Sequence, residues 1–539
     1  DVLLGGSGND TATGGAGDDI FGGGHGNDYL LGGAGNDLLN GNDDNDRLEG
    51  GAGADILIGG GGVDTAIYDQ SNAAINVNLR VGAAALETPF GSEASGDTLQ
   101  SIENLEGSRF NDIITGSDVA NDLFGGLSND LLDGGKGGDN LDGGVGLDTV
   151  SYAASGAGVT VQVDDVNLHI HSRALGGDAD GDVLTSIENL AGSNFDDTLT
   201  GNSGFNLIHG NGGSDRIFGF GGIDRLVGDD GDDELAGGSD NDQLEGGSGN
   251  DGLYGSGGND VLNGGADMID GGDGIDLATF ADNAHPATVI LGEPGTQGQA
   301  TSTIPASRGR LTETDTLIDI ENVTGSAFSD SFAGNSARNV IHGGLGNDAF
   351  AFSAGSDILD GDGGADTLNL GNLATGANVL LASSVSVKTF SGQTTLIDME
   401  NVIGTTVDDL ITGTAGDNSI TGGLGNDRMA GNGGSDTFVF RSAAEMGTTG
   451  SEPHDIITDF SAGDRIDLHL IDADLGSDGD QAFTFIGGSA FSGEAGELRA
   501  RLGNQGNMNL TVDVDGDGHA DGRIQLNGVT SIDASSFVL

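Results

Sequence analysis

Aspartate returns every nine residues. From Gly5 the chain reads GGSGNDTAT, GGAGDDIFG, GGHGNDYLL, GGAGNDLLN, GNDDNDRLE, GGAGADILI and GGGGVDTAI without a gap. That places Asp10, Asp19, Asp28, Asp37, Asp46, Asp55 and Asp64 in one register. The register returns at Asp112, Asp130, Asp139 and Asp148, with Asp122 one place late. It returns again at Asp197, Asp215, Asp224, Asp233, Asp242, Asp251, Asp260 and Asp276. Shorter arrays hold Asp330, Asp348 and Asp366, then Asp409, Asp427 and Asp436. A period this short means one small unit stacked many times, since such a unit buries nothing alone.

Each nonapeptide divides into GGxGxD and xUx, where U is usually Leu, Ile, Val or Phe. The last three residues suit a short strand with U facing one way and its neighbours the other. The six before them suit a tight turn, because Gly accepts positive φ and allows close backbone approach. Two nonapeptides, one strand per side, close a coil of 18 residues. Equivalent strands of successive coils then pair in parallel around a thin core of U side chains. The expected fold class is all-β, a parallel β-solenoid. Stacking coils ~4.8 Å apart also stacks the aspartates. Two such charges repel by about 1 kcal/mol in water and several-fold more at an effective dielectric of 20. The metal-free chain is therefore expected to fold poorly, and a hard divalent cation to supply the missing term. Ca²⁺ suits a flexible shell of carboxylate and carbonyl oxygens, whereas Mg²⁺ demands a tighter octahedron.

Composition supports a metal and excludes other classes. Of 539 residues 105 are Gly, 86 are acidic and 17 are Lys or Arg, for a net charge of −69. A count gives 16 Glu and therefore 70 Asp, a skew that solubility alone would not produce. Phosphate contacts need Lys and Arg, so no nucleic-acid partner is expected. With Cys at zero, disulfides and Cys-ligated zinc or iron–sulfur sites are excluded. No apolar run reaches the ~18 residues of a membrane helix, so no transmembrane segment is expected.

The nonapeptides resemble the RTX (repeats-in-toxin) calcium-binding repeats of proteins exported through type I secretion. The resemblance implies a right-handed parallel β-roll with several Ca²⁺ ions, each between one turn and the turn two repeats on. The implied ligands are the register aspartates named above, together with turn carbonyls such as those of Gly5, Gly8, Gly14, Gly17, Gly32 and Gly35. Asn206, Asn339 and Asn418 depart from the pattern, since the aspartate position there lacks a charge. Gly41-Asn42-Asp43-Asp44 departs from the glycine pattern but keeps Asp46.

This gives arrays at 1–67, 107–151, 192–279, 325–369 and 404–440, with spacers at 68–106, 152–191, 280–324 and 370–403. Each spacer opens on an alternating stretch: AINVNL, VTVQV, ATVIL or ANVLL. Each closes on a related tag: DTLQSIENLEGS, DVLTSIENLAGS, DTLIDIENVTGS or TTLIDMENVIGT. Alternation predicts half-buried strands, so each spacer is expected to be a widened section of the solenoid, with loops such as 292–310 outside. Glu103, Glu188, Glu321 and Glu400 are the matching tag acids, expected to satisfy local backbone rather than to bind metal. Residues 441–539 lose the register and resemble the C-terminal domain of serralysin-type secreted metalloproteases. That resemblance implies a β cap and an uncleaved export signal, which Ser535-Ser536-Phe537-Val538-Leu539 fits. A solenoid needs a cap in any case.

Two sharper motifs stand outside the register. Asp513, Asp515, Asp517 and Asp521 follow part of an EF-hand loop, but Ile524 replaces the bidentate Glu. Val512, Val514, Ile524 and Leu526 suggest a hairpin around a polar turn instead. His169 and His171 would share one face of a strand but lack a third ligand. No HExxH, GxSxG or GxxxxGK[ST] signature occurs, so no catalytic residue and no enzyme activity are expected in this chain. Asp1 lies nine residues before Asp10, so the chain begins inside a repeat. It is expected to be the C-terminal part of a longer secreted, extracellular or cell-surface protein. The leading expectation is a calcium-folded module with the type I exporter as transient partner. The alternatives are the non-catalytic part of a secreted protease or polysaccharide-active enzyme, and an adhesin or surface-layer component meeting cell surface or polysaccharide.

Overall fold

The U side chains form the core. In the computed structural model Leu30, Leu39, Leu48 and Leu57 are buried, and each stacks on the U residue eighteen positions away. The structure describes residues 1–539 except 82, 85–93, 164, 166–171, 265–266, 282, 304–311, 382–384, 390–391, 448–453, 477–478, 480 and 504–505. His169 and His171 lie outside the described residues. Among the described residues the elements are β-strands and short 3-10 turns, and no helix is long and apolar enough to cross a membrane.

Two units divide the chain, Asp1–Asp276 and Leu277–Leu539. In the first, Ile20–His25, Leu38–Asp43 and Ile56–Gly61 pair in parallel. Thr11–Ala16, Tyr29–Ala34 and Arg47–Ala52 form a second parallel stack. Alternate nonapeptides thus supply opposite sides of one coil. Strands here are six residues long rather than the expected three, because pairing continues through the double glycine. Gly33 pairs with Gly15 and Gly51 at φ +111°, and a Cβ on it would lie 2.4 Å from the Gly15 carbonyl oxygen. Glycine takes this position without the strain that a side chain would add.

The spacers join the same ladders. Asn76–Asn78 pairs in parallel with Ile113–Thr115, and Thr98–Gln100 with Ile56–Gly61. Thr160–Gln162 pairs in parallel with Thr198–Thr200 and antiparallel with Arg173–Leu175. A spacer is thus a coil carrying an antiparallel excursion.

In the second unit Ser331–Ala333, Ala349–Ala351, Thr367–Asn369, Asn401–Ile403, Ser419–Thr421 and Thr437–Val439 form one parallel ladder. Phe332 and Phe350 stack within it, ring centroids 5.1 Å apart. The expected loop 292–310 is in part a strand. Gln297–Thr303, rich in Thr and Gln, pairs antiparallel with both Ala287–Ile290 and Thr312–Ile318. Past Phe440 the ladders continue although the nine-residue register has ended. Asp455–Ile457 pairs in parallel with Arg428–Ala430, and Arg465–Asp467 with Thr437–Val439. A meander of Glu497–Leu502, Met508–Asp513 and Gly522–Leu526 joins the first of these ladders, and Phe537–Val538 joins the second.

Candidate metal centres

The xUx strand turns inward at U, so the residue two places earlier sits at the inner corner of its coil. That residue is the register aspartate. Asp19, Asp28, Asp37, Asp46, Asp55 and Asp64 are buried there, as are Asp112, Asp130, Asp139 and Asp148. So are Asp197, Asp215, Asp224, Asp233, Asp242, Asp251, Asp260, Asp276, Asp330, Asp348, Asp366, Asp409, Asp427 and Asp436. Asp10, in the first coils, is half-buried.

One carboxylate oxygen builds a ladder. Oδ1 of Asp28 accepts the N–H of Asp10 at 2.8 Å, Asp46 that of Asp28 at 2.8 Å, and Asp64 that of Asp46 at 2.8 Å. Asp215, Asp233 and Asp251 continue the pattern from Asp197, with distances of 2.8–2.9 Å. The other oxygen is left over. Oδ2 is buried without a hydrogen-bond partner in Asp10, Asp19, Asp28, Asp37, Asp46, Asp55 and Asp64. The same holds in Asp130, Asp139, Asp148, Asp215, Asp224, Asp233, Asp242, Asp251, Asp260, Asp348, Asp366 and Asp427.

Glycine makes room for that oxygen. A Cβ on Gly5, Gly14 or Gly32 would lie 2.2–2.4 Å from Oδ2 of the aspartate five residues on. Gly8, Gly17 and Gly35 shape the turn instead. Their φ values are +103°, +100° and +146°, and each N–H reaches a carbonyl of the coil eighteen residues ahead at 2.7–2.9 Å.

An anionic oxygen sealed from water without a donor is expensive, and the carboxyls register it. Burial pushes Asp130, Asp139, Asp215, Asp224, Asp242, Asp348 and Asp427 up to about 7. The ladder N–H opposes the rise, and neighbouring carboxylates add to it. Asp46, Asp55, Asp233, Asp366 and Asp436 reach about 6 from the same leading cause. Rows of buried, unpartnered carboxylate oxygens beside backbone carbonyls are an all-oxygen donor set. That chemistry fits calcium and offers nothing to a thiophilic metal.

The tag glutamates serve the backbone. Oε2 of Glu103, Glu188 and Glu400 accepts the N–H of Asp64, Asp148 and Asp366 at 2.8–2.9 Å, taking the ladder place of an aspartate. Asp122 does not hold a ladder position. Asn121 does, buried, while Asp122 is exposed at the start of the next strand. The Asn121 N–H donates to Oδ1 of Asp139 at 2.8 Å, and with no charge on its side chain Asn121 escapes a search for aspartate.

Sequence reasoning also missed Asp97, Asp182, Asp357, Asp455 and Asp464, whose Oδ1 atoms accept ladder N–H groups at 2.7–3.0 Å. Asp97 and Asp182 open the tags DTL and DVL, a signal that was present. Asp455 and Asp464 lie 28 residues from their partners, beyond any nine-residue search.

Among the described residues, two clusters lie outside the ladders. Asp513, Asp515 and Asp521 bring carboxylate oxygens within 4.8 Å of one another in the loop of a hairpin. Asp513 already accepts the N–H groups of Gly516 and Gly518 at 2.8 and 3.0 Å, and Asp521 that of Val514 at 2.7 Å. These bonds close the polar turn by themselves. His342, Asp360 and Asp362 form the other group, which is part-exposed.

Comparison with known proteins agrees with this chemistry. Residues 331–539 match the family model described as peptidase M10 serralysin C terminal. The model of the RTX calcium-binding nonapeptide repeat matches residues 1–30, 31–66, 115–150, 191–226, 218–253 and 253–278. No curated protein matches the chain. Among solved structures the chain is similar to extracellular lipase LipA from Serratia marcescens, at 16% identity and a TM-score of 0.15. The match covers 64% of this chain and 40% of the lipase, so the chain spans less than half of that protein.

Proposed function

A chain built of RTX calcium-binding nonapeptide repeats and a serralysin C-terminal domain binds several calcium ions in a secreted protein, and we propose that calcium is what folds it. On this reading the ligands are the register aspartates that keep an oxygen the ladder leaves over. The observation that carries it is the repetition of one buried, donorless Oδ2 from coil to coil. At low calcium these oxygens repel one another and oppose stacking, so the chain passes its type I exporter unfolded. At the millimolar calcium outside the cell the cation binds only the folded state and stabilises it by mass action.

A calcium titration followed by far-UV circular dichroism and light scattering tests this. The expected result is a steep gain of β structure between roughly 10⁻⁴ and 10⁻³ M Ca²⁺, the range of extracellular modules, in a particle that stays monomeric. Mg²⁺ at equal concentration should do far less. Identical spectra in chelator and in ~5 mM Ca²⁺ would refute the proposal, and calcium-dependent assemblies would favour a surface-layer or adhesive role.

The serralysin match favours a second reading, in which this chain is the non-catalytic part of a secreted protease. Proteolytic activity in the full-length gene product and none in this chain would support it.

A further inference from the structure

Not every corner of the coils leaves an oxygen over. In the coil that opens the array after each spacer, both corners are satisfied internally. On one corner stand Asp112, Asp197, Asp330 and Asp409. The oxygen that is orphaned elsewhere accepts the N–H of Ser108, Ser193, Ser326 or Thr405, four residues back, at 2.5–2.6 Å. The hydroxyl of the same residue donates to Oδ1 at 2.8–3.1 Å.

On the other corner stand Asn121, Asn206, Asn339 and Asn418. Oδ1 accepts the N–H four residues back at 2.6–3.0 Å. Nδ2 donates to the backbone carbonyl of Glu103, Glu188, Glu321 or Glu400 at 2.5–2.8 Å. One contact needs an oxygen and the other an N–H, so the pair fixes the orientation of the amide. The Asn that follows each tag Glu completes the arrangement. Asn189 accepts the Leu207 N–H through Oδ1 at 2.9 Å, and Asn104, Asn322 and Asn401 repeat it at 2.8–3.0 Å. That residue relieves the glutamate carbonyl of a ladder bond and leaves it to the amide.

None of these eight side chains has a buried polar atom without a partner. What separates the two kinds of corner is one backbone angle. Four residues before the orphaned carboxylates of Asp37, Asp46, Asp130, Asp224 and Asp260, φ is +111°, +78°, +117°, +81° and +80°. That turns the N–H away from the carboxylate. The corresponding Ser, Thr and Asn residues of the eight satisfied corners are not among those with positive φ, and their N–H points inward. Asp436, behind Asn432 at φ +69°, has the positive φ without a buried orphaned oxygen.

We propose that the four coils opening the later arrays are metal-free clasps, in which a backbone N–H and an asparagine amide do what calcium does at the other corners. Calcium is then confined to the array interiors, and each clasp holds its two neighbouring coils together before any ion arrives. This rests on the reading of the orphaned carboxylates as calcium ligands.

Hydrogen exchange of the full chain, read by mass spectrometry across a series of free Ca²⁺ concentrations, tests it. Peptides over 189–209 should become protected at lower calcium than peptides over 228–251. Replacing the clasp by the interior pattern, Asn202→Gly with Asn206→Asp, should raise the calcium midpoint of 189–209 about tenfold, the worth of one lost amide bond. The variant should also hold more calcium at saturation than the parent. Thr414→Gly with Asn418→Asp should do the same in the second unit. A shared midpoint for the two regions of the parent, or variants with unmoved midpoints and calcium content, would overturn the clasp. Protection that ignores calcium everywhere would instead overturn the calcium-folding reading.

Discussion

Acid should stabilise the calcium-free chain, the reverse of what carboxylate-rich proteins usually do. Asp242 shows why. Burial raises its carboxyl from 3.8 to about 7, with the Asp224 N–H opposing and the charges of Asp260 and Asp240 adding. The folded chain therefore keeps this proton to near neutrality, while the unfolded chain releases it near pH 4. Between those values the folded state binds more protons, so stability falls as pH rises through the window. For one carboxyl with these two constants, going from about pH 7.5 to about pH 5 stabilises the fold by about 2.5 kcal/mol at most. Asp130, Asp139, Asp215, Asp224, Asp348 and Asp427 share the position and the direction. Even one carboxyl's worth should shift the folding equilibrium of the calcium-free chain toward the folded state by up to about seventyfold. Far-UV circular dichroism in chelator at the two pH values, read as β content, measures this. Relief of the net charge of −69 would act in the same direction. Salt at ~0.5 M screens exposed charges and leaves buried ones largely alone, so the ladder effect must survive it. With saturating calcium the order should invert, because protons then compete with the cation for the same oxygens. A β content in chelator that falls on acidification, or a gain that high salt abolishes, would refute the reasoning.

Other consequences are local. Gly237→Ala places a Cβ 2.3 Å from Oδ2 of Asp242, whereas on Gly257 the nearest atom is 3.7 Å away. In urea melts with calcium the first should cost about 1–3 kcal/mol, and the second should stay within about 0.5 kcal/mol. Phe537 packs on Phe485 with centroids 5.0 Å apart, in a strand paired to Arg465–Asp467. Phe537→Ala should cost the C-terminal region about 3 kcal/mol, seen as faster exchange at 465–468 with protection over 228–251 unchanged. Phe220 is half-exposed at φ +81°, a conformation that a bulky side chain adopts under strain. Phe220→Gly should therefore raise the calcium-loaded Tm by a few degrees, corresponding to about 0.5–1 kcal/mol.

The nine-residue register made the solenoid, its buried U residues and most ladder aspartates legible, because one short unit repeats the same local chemistry many times. The strand at Gln297–Thr303 was not legible. Its partners Ala287–Ile290 and Thr312–Ile318 lie in the same spacer, and nothing periodic marks a single antiparallel excursion. Beyond Phe440 the ladder step from Asp427 to Asp455 spans 28 residues, since a longer connection can close a coil as well as a nonapeptide pair can. Asn121 was hidden for a different reason. It carries no charge and joins the ladder through its own N–H, donated to Asp139, while its amide bonds the Ser117 N–H and the Glu103 carbonyl.

The aspartate position performs two jobs. Accepting the N–H of the coil before requires an oxygen and nothing more, which is why Glu188 serves the ladder as well as Asp224 does. Holding a cation requires the second oxygen to be ionised and left without a donor, and that depends on the backbone four residues earlier. Asn42, Phe220, Asp229 and Ser256 take positive φ there although none is glycine. Residues with a side chain adopt that conformation at a cost. At each of these positions the following carboxylate keeps a donorless Oδ2. A turn that capped the carboxylate would be easier to form and would leave calcium nothing to bind. The strained angle is thus the feature that keeps an aspartate available as a ligand.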